Sequence, residues 1–187
     1  MKTCSMKNAA TPPIKAEQPK SIIIPYTRDI ALLTDHIKTE QFLAWLGSYN
    51  HEETIRSYSE YIMARPENRF IKKTNLRSST SEVHVGNNKW EVKLDSQLYP
   101  EVVCSMSNGF SILINDHVHN NTRFKHILHD RNRKQMYNKL DEFLNYMASN
   151  GYCNNNDVDK VRRIKHNFDT LVKELRLIVF NYSKNAV

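Results

Sequence analysis

At 187 residues, with 40% hydrophobic side chains and only 4 glycines, the chain can bury one core but is poor in the residue that builds phosphate cradles and loop-borne active sites. No apolar run approaches the length of a bilayer span and no signal-peptide apolar region opens the sequence, so an intracellular protein without a membrane partner is expected. Three cysteines (Cys4, Cys104, Cys153) cannot all pair within one chain, which fits reduced thiols, and a formal net charge of +7 favours a polyanionic partner.

Residues 1–20 hold Pro12, Pro13, Pro19 and four lysines with almost no large apolar side chain, the composition of a disordered tail. Ile14-Lys15-Ala16-Glu17 fits the SUMO-acceptor pattern of apolar residue, lysine, any residue and glutamate, and Ile37-Lys38-Thr39-Glu40 repeats it. From residue 21 to 187 the pattern predicts a single α+β domain: a helical part over 21–66, hairpins plus a basic helix over 80–150, and a closing helix over 156–183. Ser21 to Ile24 is a β-prone run stopped by Pro25. A helical block follows, capped by Thr27 or Asp29, with Ile30, Leu33, Ile37, Phe42, Leu43, Trp45 and Leu46 on its apolar side and Gly47 as its stop. Asn50-His51-Glu52-Glu53 reads as a capping box for a second helix that carries Ile55, Tyr58, Tyr61 and Ile62 and ends at Pro66.

Arg65 to Arg77 is a basic connector containing Arg69, Lys72 and Lys73. Val83 and Val85, then Trp90, Val92 and Leu94, alternate with polar residues around Gly86-Asn87-Asn88, which predicts a hairpin with one buried face. Val102-Val103-Cys104 and Phe110 to Ile114 flank Ser107-Asn108-Gly109 and predict a second hairpin, since Asn-Gly suits a tight turn with positive φ. Together these give a small antiparallel sheet of about four strands. Thr122 to Leu128 then opens a basic helical segment with Met136, Leu140, Phe143, Leu144 and Met147 inside and Asn150-Gly151 as its stop. After the Asn154 to Asn156 loop, Val161, Ile164, Phe168, Leu171, Leu175, Ile178 and Tyr182 form a heptad-like stripe. That stripe suits the chain's own core, or a coiled-coil partner or self-association through residues 157–182.

His117-x-His119 and His126-x-x-His129 lie near Cys104 and Cys153, but no CxxC accompanies them, so no metal site and no cofactor is expected. There is no Gly-x-Ser-x-Gly turn and no phosphate-binding glycine loop, and the carboxylates Asp116, Asp130 and Asp141 read as ordinary surface charges. An enzyme is therefore not expected.

The segment Gln41 to Ile62 locally resembles the helical DNA-clamping domain of tyrosine recombinases, without any counterpart of that family's catalytic Arg, His and Tyr signatures. Residues 80–129 are similar to APSES/KilA-N DNA-binding domains through the strand pair at Trp90 and Val92, VVCSMSNGFSILIN at 102–115 and TRFKHIL at 122–128. The family's Asn-Ala-Thr and its later Gly-x-Trp-Val hairpin are absent. The resemblance implies DNA contacts around Arg123, Lys125, His126, Arg131, Arg133 and Lys134. Taken with the composition, the expectation is a nuclear DNA-binding regulator. Its contacts would come from Arg69, Lys72, Lys73, Arg123, Lys125, Arg131, Asn132, Arg133 and Lys134, arginine and lysine serving phosphate or guanine and Asn132 adenine. The alternative is a protein-interaction adaptor built on the closing helix.

Overall fold

The computed structural model describes residues 22–27, 34, 37–47, 51–120, 131–148 and 158–184. The expected tail at 1–20 with Lys15, the Thr27/Asp29 helix start, the Thr122 to Leu128 segment and the loops around Asn150 and Asn154 to Asn156 lie wholly or mostly outside them. Among the described residues there are five α-helices and a three-stranded antiparallel sheet, an α+β arrangement. In chain order these are α1 (Thr39–Gly47), α2 (His51–Ala64), β1 (Ile71–Lys72), β2 (Thr80–Gly86), β3 (Lys89–Leu94), α3 (Asp95–Asn120), α4 (Arg131–Ala148) and α5 (Val158–Lys184).

The helical hairpin of α1 and α2 forms, but α1 is shorter than the predicted block: it begins at Thr39, and residues 27, 34, 37 and 38 are not helical. Gly47 closes α1, and Thr54 of α2 donates its hydroxyl to the Trp45 carbonyl at 2.9 Å, tying the two helices together. Pro66 opens a short 3₁₀ turn just beyond α2. The carbonyls left open at the α2 C-terminus then accept from Asn68 Nδ2 (3.0 Å to Ile62 O) and from Arg69 (3.2 Å to Met63 O, 2.7 Å to Ala64 O).

The β2–β3 hairpin also forms where its turn residues place it, with Asn87 and Asn88 at φ of 49° and 57° and Gly86 at 97°. Two consecutive residues of positive φ are what a two-residue hairpin turn demands. β1 comes from within the basic connector, where no strand was expected, and pairs with β2 through Ile71↔Val83 and Lys72↔Glu82.

The second predicted hairpin does not exist. Residues 95–120 form one helix, α3, and the sheet has three strands where about four were expected. The reason lies in the spacing of the buried residues. Leu98, Tyr99, Val102, Val103, Met106, Phe110 and Ile114 recur at steps of three and four and are all buried, a helical period that outweighs the β preference of the valine and isoleucine runs. Asn108-Gly109 is therefore mid-helix. Gly109 is small because a Cβ there would stand 3.1 Å from the Tyr58 hydroxyl of α2.

The core is one continuous cluster running from Tyr26 through α1, α2, the sheet, α3 and α4 to Val179 of α5. At its centre Phe110 packs against Tyr58 (ring centroids 4.8 Å) and Phe42 (5.7 Å), and Trp45 meets Tyr58 edge-on at 5.9 Å. Burial holds the Tyr58 phenol in its neutral form by raising its pKa. On α5 the predicted stripe is turned inward: Ile164, Leu171, Leu175 and Ile178 are buried, and Val161, Phe168 and Tyr182 pack against the core. Helix α5 lies chiefly on α2, with further contact to α3 and β1.

Candidate nucleic-acid interface

The basic connector was expected to face a polyanion, and its three named cations are engaged internally. Arg69 caps α2, and its guanidinium also lies 4.8 Å from the Tyr182 ring centroid. Lys72 is exposed, with Nζ 3.7 Å above the Trp90 ring. Lys73 needs correction as a DNA-contact residue, because only 1% of it is exposed. Its ammonium donates to Ser78 O (2.8 Å), Thr80 O (2.7 Å) and Asp95 Oδ2 (2.5 Å). Three donors meet three acceptors, so no proton is left for a phosphate.

Lys73 belongs to a polar staple that sequence reasoning missed. Asp95, the first residue of α3, accepts from Ser81 Oγ at 2.6 Å through its other oxygen, and Arg176 Nε of α5 lies 2.9 Å from Oδ2 as an ion pair. The Arg176 Nη2 reaches back to the carbonyls of Leu76 and Ser78, both at 2.6 Å. Lys73 N donates to Ser183 Oγ at 3.0 Å. The Tyr99 hydroxyl stands 3.1 Å from Ser81 Oγ, and burial pushes that phenol up to about 12. Two cations, one carboxylate and three hydroxyls thus pin the β1–β2 connection to α3 and α5. Asp95 after a β-run carries a visible N-cap signal, but nothing local pairs it with residues 73 and 176.

The remaining candidates gather on α4. Arg131 and Lys134 are exposed; Asn132 and Arg133 lie in the same helix, their side chains outside the described set; Arg123 and Lys125 lie outside the described residues altogether. Leu140, Phe143 and Leu144 anchor the inner side of α4 in the core. That fixes the opposite side in solvent, where Arg131, Lys134, Gln135, Asn138 and Lys139 are all exposed. Their spacing of i, i+3, i+4, i+7 and i+8 places them on one helical face. Among the described residues, none of Arg131, Lys134 and Lys139 is held in an ion pair, whereas the nearby acid Glu142 is taken by Lys160 at 2.6 Å. The first turn of α4 carries Arg131 and Lys134 and no acid.

VVCSMSNGFSILIN, which carried much of the likeness to APSES/KilA-N domains, lies within α3. The His117 and His119 side chains, like His126 and His129, lie outside the described set. Among the described residues no helix is long and apolar enough to cross a membrane. No protein-family model, curated protein or solved structure matches the chain.

Proposed function

We propose that the protein binds nucleic acid, duplex DNA first among the forms to test, by laying the exposed face of α4 against it. The observation that carries this reading is the single face holding Arg131, Lys134 and Lys139, without internal partners among the described residues, beside Gln135 and Asn138. Cations at that spacing suit phosphates, and the carboxamides are the side chains that read adenine. The cations crowd the helix end where the macrodipole disfavours them, an arrangement that an external anion relieves. The packing of Ile164, Leu171, Leu175 and Ile178 into the chain's own core favours this reading over an adaptor built on the closing helix.

The test is fluorescence anisotropy with a labelled duplex over a salt series. With three phosphates neutralised, log affinity should fall against log salt with a slope near −3, about −0.9 per contact. Replacing Arg131, Lys134 and Lys139 by alanine should abolish most of that slope and leave the melting temperature in place. An unchanged slope in the triple variant, or no binding at low salt, would sink the proposal.

A further inference from the structure

Among the described residues β3 is an edge of the sheet with no further strand beside it, and the cross-strand register turns its apolar face away from the core. Val83, fully buried, stands opposite Glu91, while exposed Glu82 stands opposite Val92. Paired residues share a face, so Trp90, Val92 and Leu94 lie on the outer side and Lys89, Glu91 and Lys93 on the inner. The alternation in β3 predicts a buried apolar face; in the structure Val92 is 68% and Leu94 48% exposed. The cause is that Ile71 and Val83 already fill the inner side of the sheet. Long exposed edges with apolar residues recruit another strand unless something blunts them.

We infer that β3 is a self-association edge, on which two copies of the chain pair antiparallel about a two-fold axis through Val92. The sequence of the strand selects that partner and that register. Centred on Val92, Glu91 faces Lys93 of the second copy twice over by symmetry, Val92 meets Val92, and Trp90 meets Leu94 on the outer side. Centring on Glu91 sets Glu91 against Glu91 and Lys89 against Lys93. Centring on Lys93 sets Lys93 against Lys93. Centring on Trp90 brings opposite charges together but engages only residues 89–91 of the strand, where the Val92 register engages 90–94. Charge complementarity and overlap thus agree on one arrangement. It extends the three-stranded sheet into a continuous sheet shared by both copies. This inference is independent of the nucleic-acid reading.

The experiment is light scattering on the full chain. A single strand pair lies at the small end of specific interfaces, so mass should rise from monomer to dimer over about 1–100 µM. Glu91→Lys alone puts lysine against lysine, and Lys93→Glu alone puts glutamate against glutamate, so each variant should remain monomeric throughout. An equimolar mixture of the two restores both opposite-charge pairs and should recover the dimer mass. So should a chain carrying both changes, which also guards against one variant folding poorly. Glu91 is exposed and paired with Lys89, and Lys93 is half-buried over the Tyr26 ring, so circular dichroism melts accompany each mass measurement to show that the variant is folded. A wild-type chain that stays monomeric, single variants that dimerise as wild type does, or a mixture that fails to dimerise would each overturn the inference.

Discussion

Replacing Lys73 by methionine separates a structural lysine from a nucleic-acid contact. The change keeps the length of the buried stem but removes three hydrogen bonds, to Ser78 O, Thr80 O and Asp95 Oδ2. Removing one partner of a buried ion pair costs about 3–5 kcal/mol, mostly because the other charge is left behind. Asp95 retains Ser81 at 2.6 Å and Arg176 at 2.9 Å, which places the loss near the lower end, about 3 kcal/mol. For a chain of this size each kcal/mol moves the midpoint by roughly 2–4 °C, so the melting temperature should fall by about 6–12 °C. Urea denaturation followed by circular dichroism supplies the free energy, and anisotropy on a duplex supplies the affinity. The expected pattern is a large loss of stability with the salt slope of DNA binding unchanged. A midpoint within a degree of wild type, together with a shallower salt slope, would refute the reasoning and return Lys73 to the surface.

Three further outcomes follow from the core. Gly109→Ala should show no gain in the wild-type background, because its Cβ meets the Tyr58 hydroxyl at 3.1 Å, yet in Tyr58→Phe it should gain up to about 1 kcal/mol of helix propensity. Equal effects in both backgrounds, read from urea midpoints, would contradict that contact. Leu171→Ala with Leu175→Ala should cost several kcal/mol, each truncation contributing about 2–5, and an unchanged cooperative melt would show that α5 is not part of the core. Stability should also decline at alkaline pH. Burial raises the phenols of Tyr58 and Tyr99, and at Tyr26 burial and the Glu101 carboxylate do the same. An unfolded tyrosine loses its proton near pH 10; the folded ones keep theirs longer, so their contribution is complete below pH 10 and is lost as pH rises toward 12 and above. Tyr99→Phe should flatten the decline between about pH 10 and 12, and identical pH profiles would exclude that phenol.

What the sequence revealed follows the range of the forces involved. The β2–β3 turn was legible because positive φ at Asn87 and Asn88 is a demand made by two adjacent residues. The end of α2 was legible for the same reason, Pro66 stopping it locally. Helix α3 was misread because Asn108-Gly109 carries a strong local turn signal, while the contact that requires glycine there comes from Tyr58 on another helix. The exposed face of α4 could be read from its arginines and lysines, since Leu140, Phe143 and Leu144 dictate which side is inward. Lys73 could not be assigned from its neighbours. Its burial depends on Asp95 and on a loop that Arg176 holds from far along the chain. The outward turn of Val92 and Leu94 was equally hidden, because alternation tells that two faces differ and pairing to β2 decides which is wet.

The staple also imposes an order of events during synthesis. Arg176 and Ser183 stand 98 to 110 positions downstream of the loop groups they bind. At translation rates of roughly 5–20 residues per second, the β1–β2 connection is made about 5–20 s before its clamp exists. In that interval Lys73 can already find Asp95, but the Leu76 carbonyl and the Lys73 amide have only water to bind. The docking of α5 is then the step that locks the first strand pair, a closure between distant positions that slows folding.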